Sequence, residues 1–554
     1  MFKNGSKFRI LFLLLIFSLP LLPLFHSGLP ITHDGQDHIA RIANFYQSLS
    51  DGNIIPRWAG NLNWGYGHPI LSFLYPLPSY SASFFHFLNF SYIDSLKIVF
   101  GLSFVASGIA MYLWVRNFLD ENSAILASIL YLYAPYRFVD LYVRGAIGEH
   151  VAFVFLPLIL YFLLKFYKTE NEKREVWYGL GLSFSVAGLI LSHNAISLMF
   201  FPFVGFYMLS LWSKNNFFGK FFLTSLAYLI LGFLLSSFFW VPAFFEGKYT
   251  LRDIVTGGEI FSRFVGFKDL VYGQWSYGIT GQFTTQIGAV GILALILSPL
   301  IFKRLFGKER KKAFFVLGTV AYAIFGIILM LNFSKPIYET ITILEKFQFP
   351  WRFLSIVIFA TAVLGGIGLS VVKNPKIRMV LLVLFSLLAI IPTISFWRAN
   401  GYLQKPDSFY EKVYYGTTDT GESSPVWSVR FMEREPKLRI EIVEGEAEIM
   451  QTQRTSTRHS YQIVSASGAR IKENTLYFPG WKVYVDGKEN KKVEFQDARY
   501  RGIITFYVER GRHKVDVVFE ETKLRFAANM VSLISIVLVF MLIFVIVKAK
   551  WKII

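Results

Sequence analysis

Apolar runs long enough to cross roughly 30 Å of hydrocarbon recur along the chain with polar breaks between them. They lie at 10–25, 95–115, 150–167, 177–195, 196–213, 219–240, 287–302, 313–331, 352–372, 379–397 and 526–547, with a shorter run at 124–138. Counting the shorter run, the pattern predicts about twelve membrane helices in an all-α bundle. The first run follows Lys3, Lys7 and Arg9, and no small-residue cleavage pattern precedes Thr32, which predicts a signal anchor.

Basic clusters fall between alternate runs: Arg116; Lys165, Lys168, Lys173 and Arg174; Lys214 and Lys220; Lys303 to Lys312; Lys373, Lys376 and Arg378; Lys548, Lys550 and Lys552. Positively charged loops stay in the cytoplasm, so this parity predicts both termini inside a plasma-membrane protein. Segments 28–94, 139–149, 241–286 and 398–525 then face outward. The stretch 69–91, broken by Pro69, Pro76 and Pro78, is expected to lie along the outer membrane surface.

Segment 398–525 follows a different rule. Leu438, Ile440 and Ile442 alternate with Arg439 and Glu441, a period of two. Two further runs, 502–508 and 513–520, flank Glu509–Arg512, which reads as a turn, and Asp486–Gly487 follows WKVYV as a hairpin turn. The prediction is a membrane domain at 1–397, an extracytoplasmic antiparallel β-sandwich at 398–525 with its own core, and a last helix with a basic tail at 526–554.

Composition then narrows the function classes. Of 554 residues, 54% are hydrophobic and only 17% charged, which excludes an ordinary soluble domain. The net charge of +19 sits in the loop clusters, so it implies contact with membrane lipids and no nucleic-acid partner. Cysteine is absent, which removes disulfides and thiolate chemistry. No glycine-rich phosphate loop, HExxH or nucleophile elbow is present. Aromatic residues make up 18% of the chain; Trp58, Trp64, Tyr66 and Trp275 are read chiefly as membrane anchors, with stacking on a sugar ring as the alternative.

Candidate chemistry gathers in the outward segments. Asp34 and Asp37 stand three apart where ITHDGQDHIARIANFYQSL opens, and Ile39, Ile42, Ala43, Tyr46 and Leu49 give that stretch the apolar face of a helix lying in the membrane interface. The two carboxylates are read either as an acidic site for proton transfer or cation binding, or as a helix cap with an Asp37–Arg41 pair. Glu149 and His150 stand at the lip of an apolar run, where ionisable groups are costly unless paired or facing a wet cavity. Arg144, Gly145 and Gly148 precede them in what reads as a flexible loop, and an Arg144–Glu149 pair is the alternative role. His193 and Asn194 at a helix end suit either sugar hydroxyls or helix-end satisfaction. Arg352, at a helix mouth, suits either a phosphate or an interfacial anchor.

The motifs DGQDH, VRGAIGEH, LSHN at 191–194, FQFPWRF at 347–353 and YFPGWKVYVDGK at 477–488 resemble the bacterial multi-pass membrane proteins of the 6-pyruvoyl-tetrahydropterin-synthase-related family. That family name carries no pterin chemistry here. Architecture and first-loop acidic motif are also similar to C-class glycosyltransferases, which use polyprenyl-phosphate sugars as donors. The resemblance implies a transferase site beneath the first outward segment, with Asp34 as base or metal ligand, Asp37 as second candidate, and Glu149 acting on metal or acceptor. It also tips Arg352 toward donor phosphate; Arg144, His150, His193 and Asn194 stay candidate substrate contacts on the reading of the residues alone. Oxygen ligands at Asp34 and Glu149 would favour Mg²⁺ or Mn²⁺.

The expected activity is therefore glycosyl transfer from a polyprenyl-phosphate sugar to a cell-envelope glycan, lipid or protein acceptor. A lipid-linked-sugar transporter would instead need ionisable residues near mid-membrane and interrupted helices in both halves, and a glycan-binding scaffold would need no converging carboxylates.

Overall fold

The computed structural model describes residues 4–211, 219–279 and 282–551. Lys3, Lys214 and Lys552, used above to orient the chain, lie outside the described residues.

Among the described residues nine helices are long and apolar enough to cross a membrane: Tyr92–Arg116, Ile147–Lys168, Glu172–Ser192, Asn194–Leu211, Ala289–Phe306, Arg310–Met330, Pro350–Ser370, Pro375–Phe396 and Lys523–Lys548. Two bent pairs, Glu121–Leu132 with Pro135–Arg144 and Lys220–Leu235 with Ser237–Phe245, would raise the count to eleven. The first break falls where Pro135 opens the next helix, since the residue before proline is pushed out of helical geometry. The remaining expected span survives only as the shorter apolar helix Leu11–Phe25, so the structure supports nine to eleven spans against the twelve expected.

One element of the first loop departs from the sequence reading. The helix Gly35–Ser50 was expected to turn its apolar face to lipid, yet Ile39, Ile42, Ala43 and Phe45 are fully buried within the protein. That face packs on the helices Leu77–Phe87 and Tyr92–Arg116, so amphipathic spacing here marks a core contact. Leu77–Phe87 itself carries exposed Phe84 and Phe87, followed by exposed Leu88 and Phe90, and is too short to span.

The C-terminal strands are β1 (Ile440–Arg454), β2 (Arg458–Leu476), β3 (Trp481–Val485), β4 (Lys488–Glu489), β5 (Ile503–Val508) and β6 (Gly511–Phe519). They form one antiparallel sheet with β2 at its centre. On one edge β2 pairs with β1; on the other it pairs with β6 through Arg458–Ser465 and with β5 through Ala469–Leu476. β5 and β6 therefore run in line, and the expected turn at Glu509–Arg512 is a bulge in one long strand. Its glycine and charged residues looked like a hairpin, but the register with β2 keeps the chain going straight. Asp486 and Gly487, both at positive φ, do form the expected two-residue hairpin between β3 and β4.

The sheet does not close its core with a second sheet. Tyr461, Ile463, Ile471, Val515 and Val517 on its buried face cluster with Trp58, Tyr66 and Phe73 of the first loop and with Phe239. Trp58 meets Trp481 edge-on at 5.4 Å, and Phe73 meets Phe478 at 5.9 Å. Trp58 is thus a core residue and not a membrane anchor. Two ion pairs fasten the same end of the bundle to the last helix: Arg525 to Glu246 at 2.7 Å, and Arg57 to Glu521 at 2.9 Å.

Between bundle and sheet, residues 401–439 run as a strap across two loops. Tyr414 N donates to Asn61 O, while Asn63 N and Trp64 N donate to Gly416 O and Tyr414 O. Further on, Leu251 N donates to Ser424 O and Val426 N to Tyr249 O.

Because Trp58, Tyr66, Phe73 and Phe239 complete the sheet's core, the segment 400–523 expressed alone is expected to expose that face. It should bind a hydrophobic dye and melt without a cooperative transition by circular dichroism. A soluble, cooperatively melting fragment would show that the sheet has a sufficient core of its own.

Candidate active site

A single buried carboxylate organises the end of the bundle that carries the sheet. Glu149 Oε1 accepts from Arg144 Nη2 and from Arg352 Nε, both at 2.8 Å, and Oε2 accepts from the Tyr136 hydroxyl at 2.9 Å. Arg144 Nη1 also donates to Asp140 at 2.7 Å, so each of the two buried carboxylates has a guanidinium bonded to it. Pairing of this kind is what an apolar surrounding demands of ionised groups.

Local backbone explains how these side chains meet. Residues Val139–Arg144 form a π-helical turn, a rare arrangement often found at functional sites. Gly145, at φ +69, breaks it and lets the helix Ile147–Lys168 begin with Glu149 in its first turn. Gly148, expected in a flexible loop, lies in that helix: a Cβ there would sit 2.1 Å from the Tyr75 ring, so only glycine admits the contact. Arg352 comes from the turn Pro350–Phe353, where its Nη1 also donates to Phe347 O at 2.6 Å, and among the described residues Nη2 makes no bond.

The first loop is fastened onto this cluster. His33 N and Asp34 N donate to the carbonyls of Val143 and Arg144, each at 2.9 Å. Asp34 occupies the N-cap position of Gly35–Ser50 without a side-chain cap bond, and among the described residues its part-exposed carboxylate has no partner. Tyr75, stacked on His193 at 4.9 Å, lies within the electrostatic reach of both Asp34 and Glu149. Burial above all, with those two negative charges, pushes its hydroxyl up to about 12 against the pull of Arg41 and Arg352. Asp34 and Glu149 thus bear on the same phenol.

Asp37 stands one step farther along. Its carboxylate accepts from the Tyr414 hydroxyl at 2.8 Å, and it lines a cavity of about 900 Å³ together with Trp64, Asp419 and Arg439. Burial raises the Asp37 carboxyl above its ordinary value; Asp34 and Asp419 add to this, while Arg41 and Tyr414 oppose it. Trp64 stacks on Tyr415 at 4.4 Å in the cavity wall.

The remaining predicted residues divide. His193 caps its helix with Nε2 3.9 Å from Glu149 Oε1, and so joins the cluster. Asn194 opens the next helix with a buried Oδ1 that has no partner in the structure. His150 points elsewhere: it is fully buried between Phe100 and Phe104, at 5.2 and 5.7 Å. Among the described residues no group of three or more His, Asp or Glu is arranged to hold a metal ion. Glu149 fits that role poorly, because both its oxygens are already engaged and a cation there would face two guanidiniums.

Tyr75, Tyr136, Asp140, Tyr414 and Asp419 belong to the site without having been singled out from sequence. Asp140 and Arg144 do show the spacing of a helical ion pair. Nothing local links Tyr414 or Asp419 to Asp37, because the strap brings them in from the other end of the chain.

A model of the 6-pyruvoyl-tetrahydropterin synthase related domain, a membrane protein, matches residues 71–399. The chain belongs to this family. In this 6-pyruvoyl-tetrahydropterin-synthase-related protein the Glu149 cluster lies inside the matched region, whereas Asp34 and Asp37 precede it. An uncharacterised protein of Lactococcus lactis subsp. cremoris is 26% identical over 290 residues, 49% of this chain and 46% of that one. The chain therefore spans about half of that relative's length.

Among solved structures, the chain is similar to the mycobacterial arabinofuranosyltransferase AftD, with 14% identity over 70% of this chain and 27% of that one and a TM-score of 0.49. It is similar also to AglB from Archaeoglobus fulgidus, solved with an inhibitory peptide and a dolichol-phosphate, at 14% identity, 76% and 61% coverage and a TM-score of 0.45. A third is ArnT from Cupriavidus metallidurans bound to undecaprenyl phosphate, at 14% identity, 74% and 68% coverage and a TM-score of 0.41. All three scores lie below 0.5, and no residue role is carried over from these proteins.

Two outcomes follow from the electrostatics. Glu149→Gln leaves Arg144 and Arg352 short of a buried counter-charge, which should cost about 3–5 kcal/mol and appear as a collapsed yield of monodisperse protein. Because the Asp37 carboxyl is raised in the folded state, its ionisation subtracts stability as pH climbs from the ordinary carboxylate value through the raised one. Asp37→Asn should therefore melt higher than the parent at pH 7 and gain nothing near pH 3, read by thermal unfolding in detergent.

Proposed function

We propose that this chain is a membrane glycosyltransferase that moves a sugar from a polyprenyl-phosphate donor to a cell-envelope glycan, lipid or protein acceptor. The observation that carries this reading is the Asp34 carboxylate, without a partner among the described residues, held beside the arginine–carboxylate cluster and three positions from Asp37, which lines a large polar and aromatic cavity. Such a cavity, with a few fixed charged groups at its edge, is the ordinary form of a small-molecule site. The first-loop motif's resemblance to polyprenyl-phosphate-dependent transferases supports the choice of donor.

In this scheme the acceptor hydroxyl enters from the cavity and attacks the donor's anomeric carbon, and Asp34 takes its proton. The bond from that carbon to the phosphate oxygen breaks, and the lipid phosphate leaves with the electron pair. Arg352 Nη2 is placed to share the developing charge. Asp37, hydrogen-bonded to Tyr414, orders the cavity wall. Trp64 and Tyr415 offer aromatic faces on which a sugar ring can stack. The basic clusters between alternate runs support an extracytoplasmic position for this end of the bundle.

Purified protein incubated with a panel of labelled polyprenyl-phosphate sugars, and with membranes lacking the protein as acceptor, should transfer label. Asp34→Asn should lower that transfer by about a hundredfold or more while leaving the protein folded and inserted, and Asp37→Asn should retain a measurable part of it. Near-parental transfer by Asp34→Asn would reject the proposed base.

A further inference from the structure

A second, smaller cavity of about 170 Å³ lies where the sheet meets the first loop. It adjoins the large cavity, since Asn61 and Arg439 line both. Its wall combines the guanidiniums of Arg439 and Arg454 with His459, Ser456 and the rings of Trp58 and Tyr66, and no carboxylate lines it.

These donors are held in place from behind. Glu473 is fully buried beneath them and accepts from Arg454 at 3.1 Å, from Tyr461 at 2.8 Å and from Thr475 at 2.8 Å, with His459 Nδ1 at 2.7 Å. Burial alone would push the Glu473 carboxyl up, yet His459, Arg454 and Thr475 outweigh it and hold it down at about 2. Among the described residues Arg454 is engaged through its Nη1, by Glu473 and Tyr461, and Arg439 through its Nη1, by Gly65 O. Glu473 counters Arg454 from below and Glu435 acts on Arg439 from the wall of the large cavity, but no carboxylate lines the small cavity itself, so both guanidiniums face a polar, part-aromatic space of single-sugar size.

We propose that this cavity binds an anionic sugar unit of the acceptor, its carboxylate or phosphate on Arg439 and Arg454 and its ring against Tyr66. The assignment rests on reading the adjoining large cavity as the transfer site, and it names the acceptor class: a glycan bearing acidic sugars or sugar phosphates. Glu473 is a positioning residue for the two donors.

The test is binding, independent of transfer. Full-length protein in nanodiscs is titrated with D-glucuronate, D-glucose 6-phosphate and D-glucose and followed by saturation-transfer NMR. At least one anion should bind about tenfold or more tighter than glucose, and which one does so tells carboxylate from phosphate. Arg439→Gln should erase that preference. Gly60→Leu should block the cavity: a Cβ at Gly60 sits 3.6 Å from Ser456 Cα, an ordinary contact, so this variant keeps the fold if Arg439→Gln does not. Equal binding of all three ligands, or an anion preference that survives in both variants, overturns the proposal. Asp34→Asn should bind the anion as the parent does. Binding without any label transfer in the parent would sink the transferase reading alone, and transfer without anion binding would sink this inference alone.

Discussion

A carboxylate buried at the end of a membrane bundle must be neutralised where it stands, and Glu149 imposes that condition on everything around it. Its partners come from separate places: Arg144 from a π-helical turn, Arg352 from the mouth of another helix, Tyr136 from the short helix before the turn. Each bond therefore fixes one segment against another, because a lone buried charge is far costlier than a missing surface contact. The same turn offers the carbonyls of Val143 and Arg144 to the first loop. Asp34 is thus positioned by the backbone of the turn that carries the Glu149 partner, and its own side chain stays free.

The first loop holds the rest together in a different way. Its helix Gly35–Ser50 buries one face against neighbouring helices, its Trp58 and Phe73 enter the core of the sheet, and its Asn61 and Asn63 bond to the strap. Bundle, strap and sheet meet on this one segment. The large cavity lies between segments that are distant in sequence, with Asp37 from one end of the chain and Asp419 from the other.

What sequence could reveal followed the range of the forces involved. The spans were legible because hydrocarbon thickness acts on every residue of a run, and the Asp486–Gly487 hairpin because a two-residue turn is a local event. The bundle's charged residues were legible as sites because ionisable groups beside apolar runs need a reason to be there, and Arg144, Glu149, His193 and Arg352 do meet. His150 shared that signal and yet lies between two phenylalanines: helical neighbours point in different directions, and a run does not say which faces the cluster. Amphipathic spacing at Ile39 and Ile42 reported burial without telling lipid from protein. The bulge at Glu509–Arg510 was hidden because only pairing with β2 distinguishes it from a turn. Tyr414 and Asp419 reach Asp37 through tertiary contact alone.

The shared core also sets an order of assembly. Trp58 leaves the ribosome early, whereas Trp481, Val515 and Val517, against which it is finally packed, are made only after nearly all the membrane helices. During that interval the first loop has helices to lean on but no cover for its aromatic face, and contacts so distant in sequence close slowly. A chain stalled before its last strands would present Trp58, Tyr66 and Phe73 together at one end of an otherwise inserted bundle. Exposed apolar surface of this kind is prone to wrong association, and the first loop is fully covered only once the last strands are made.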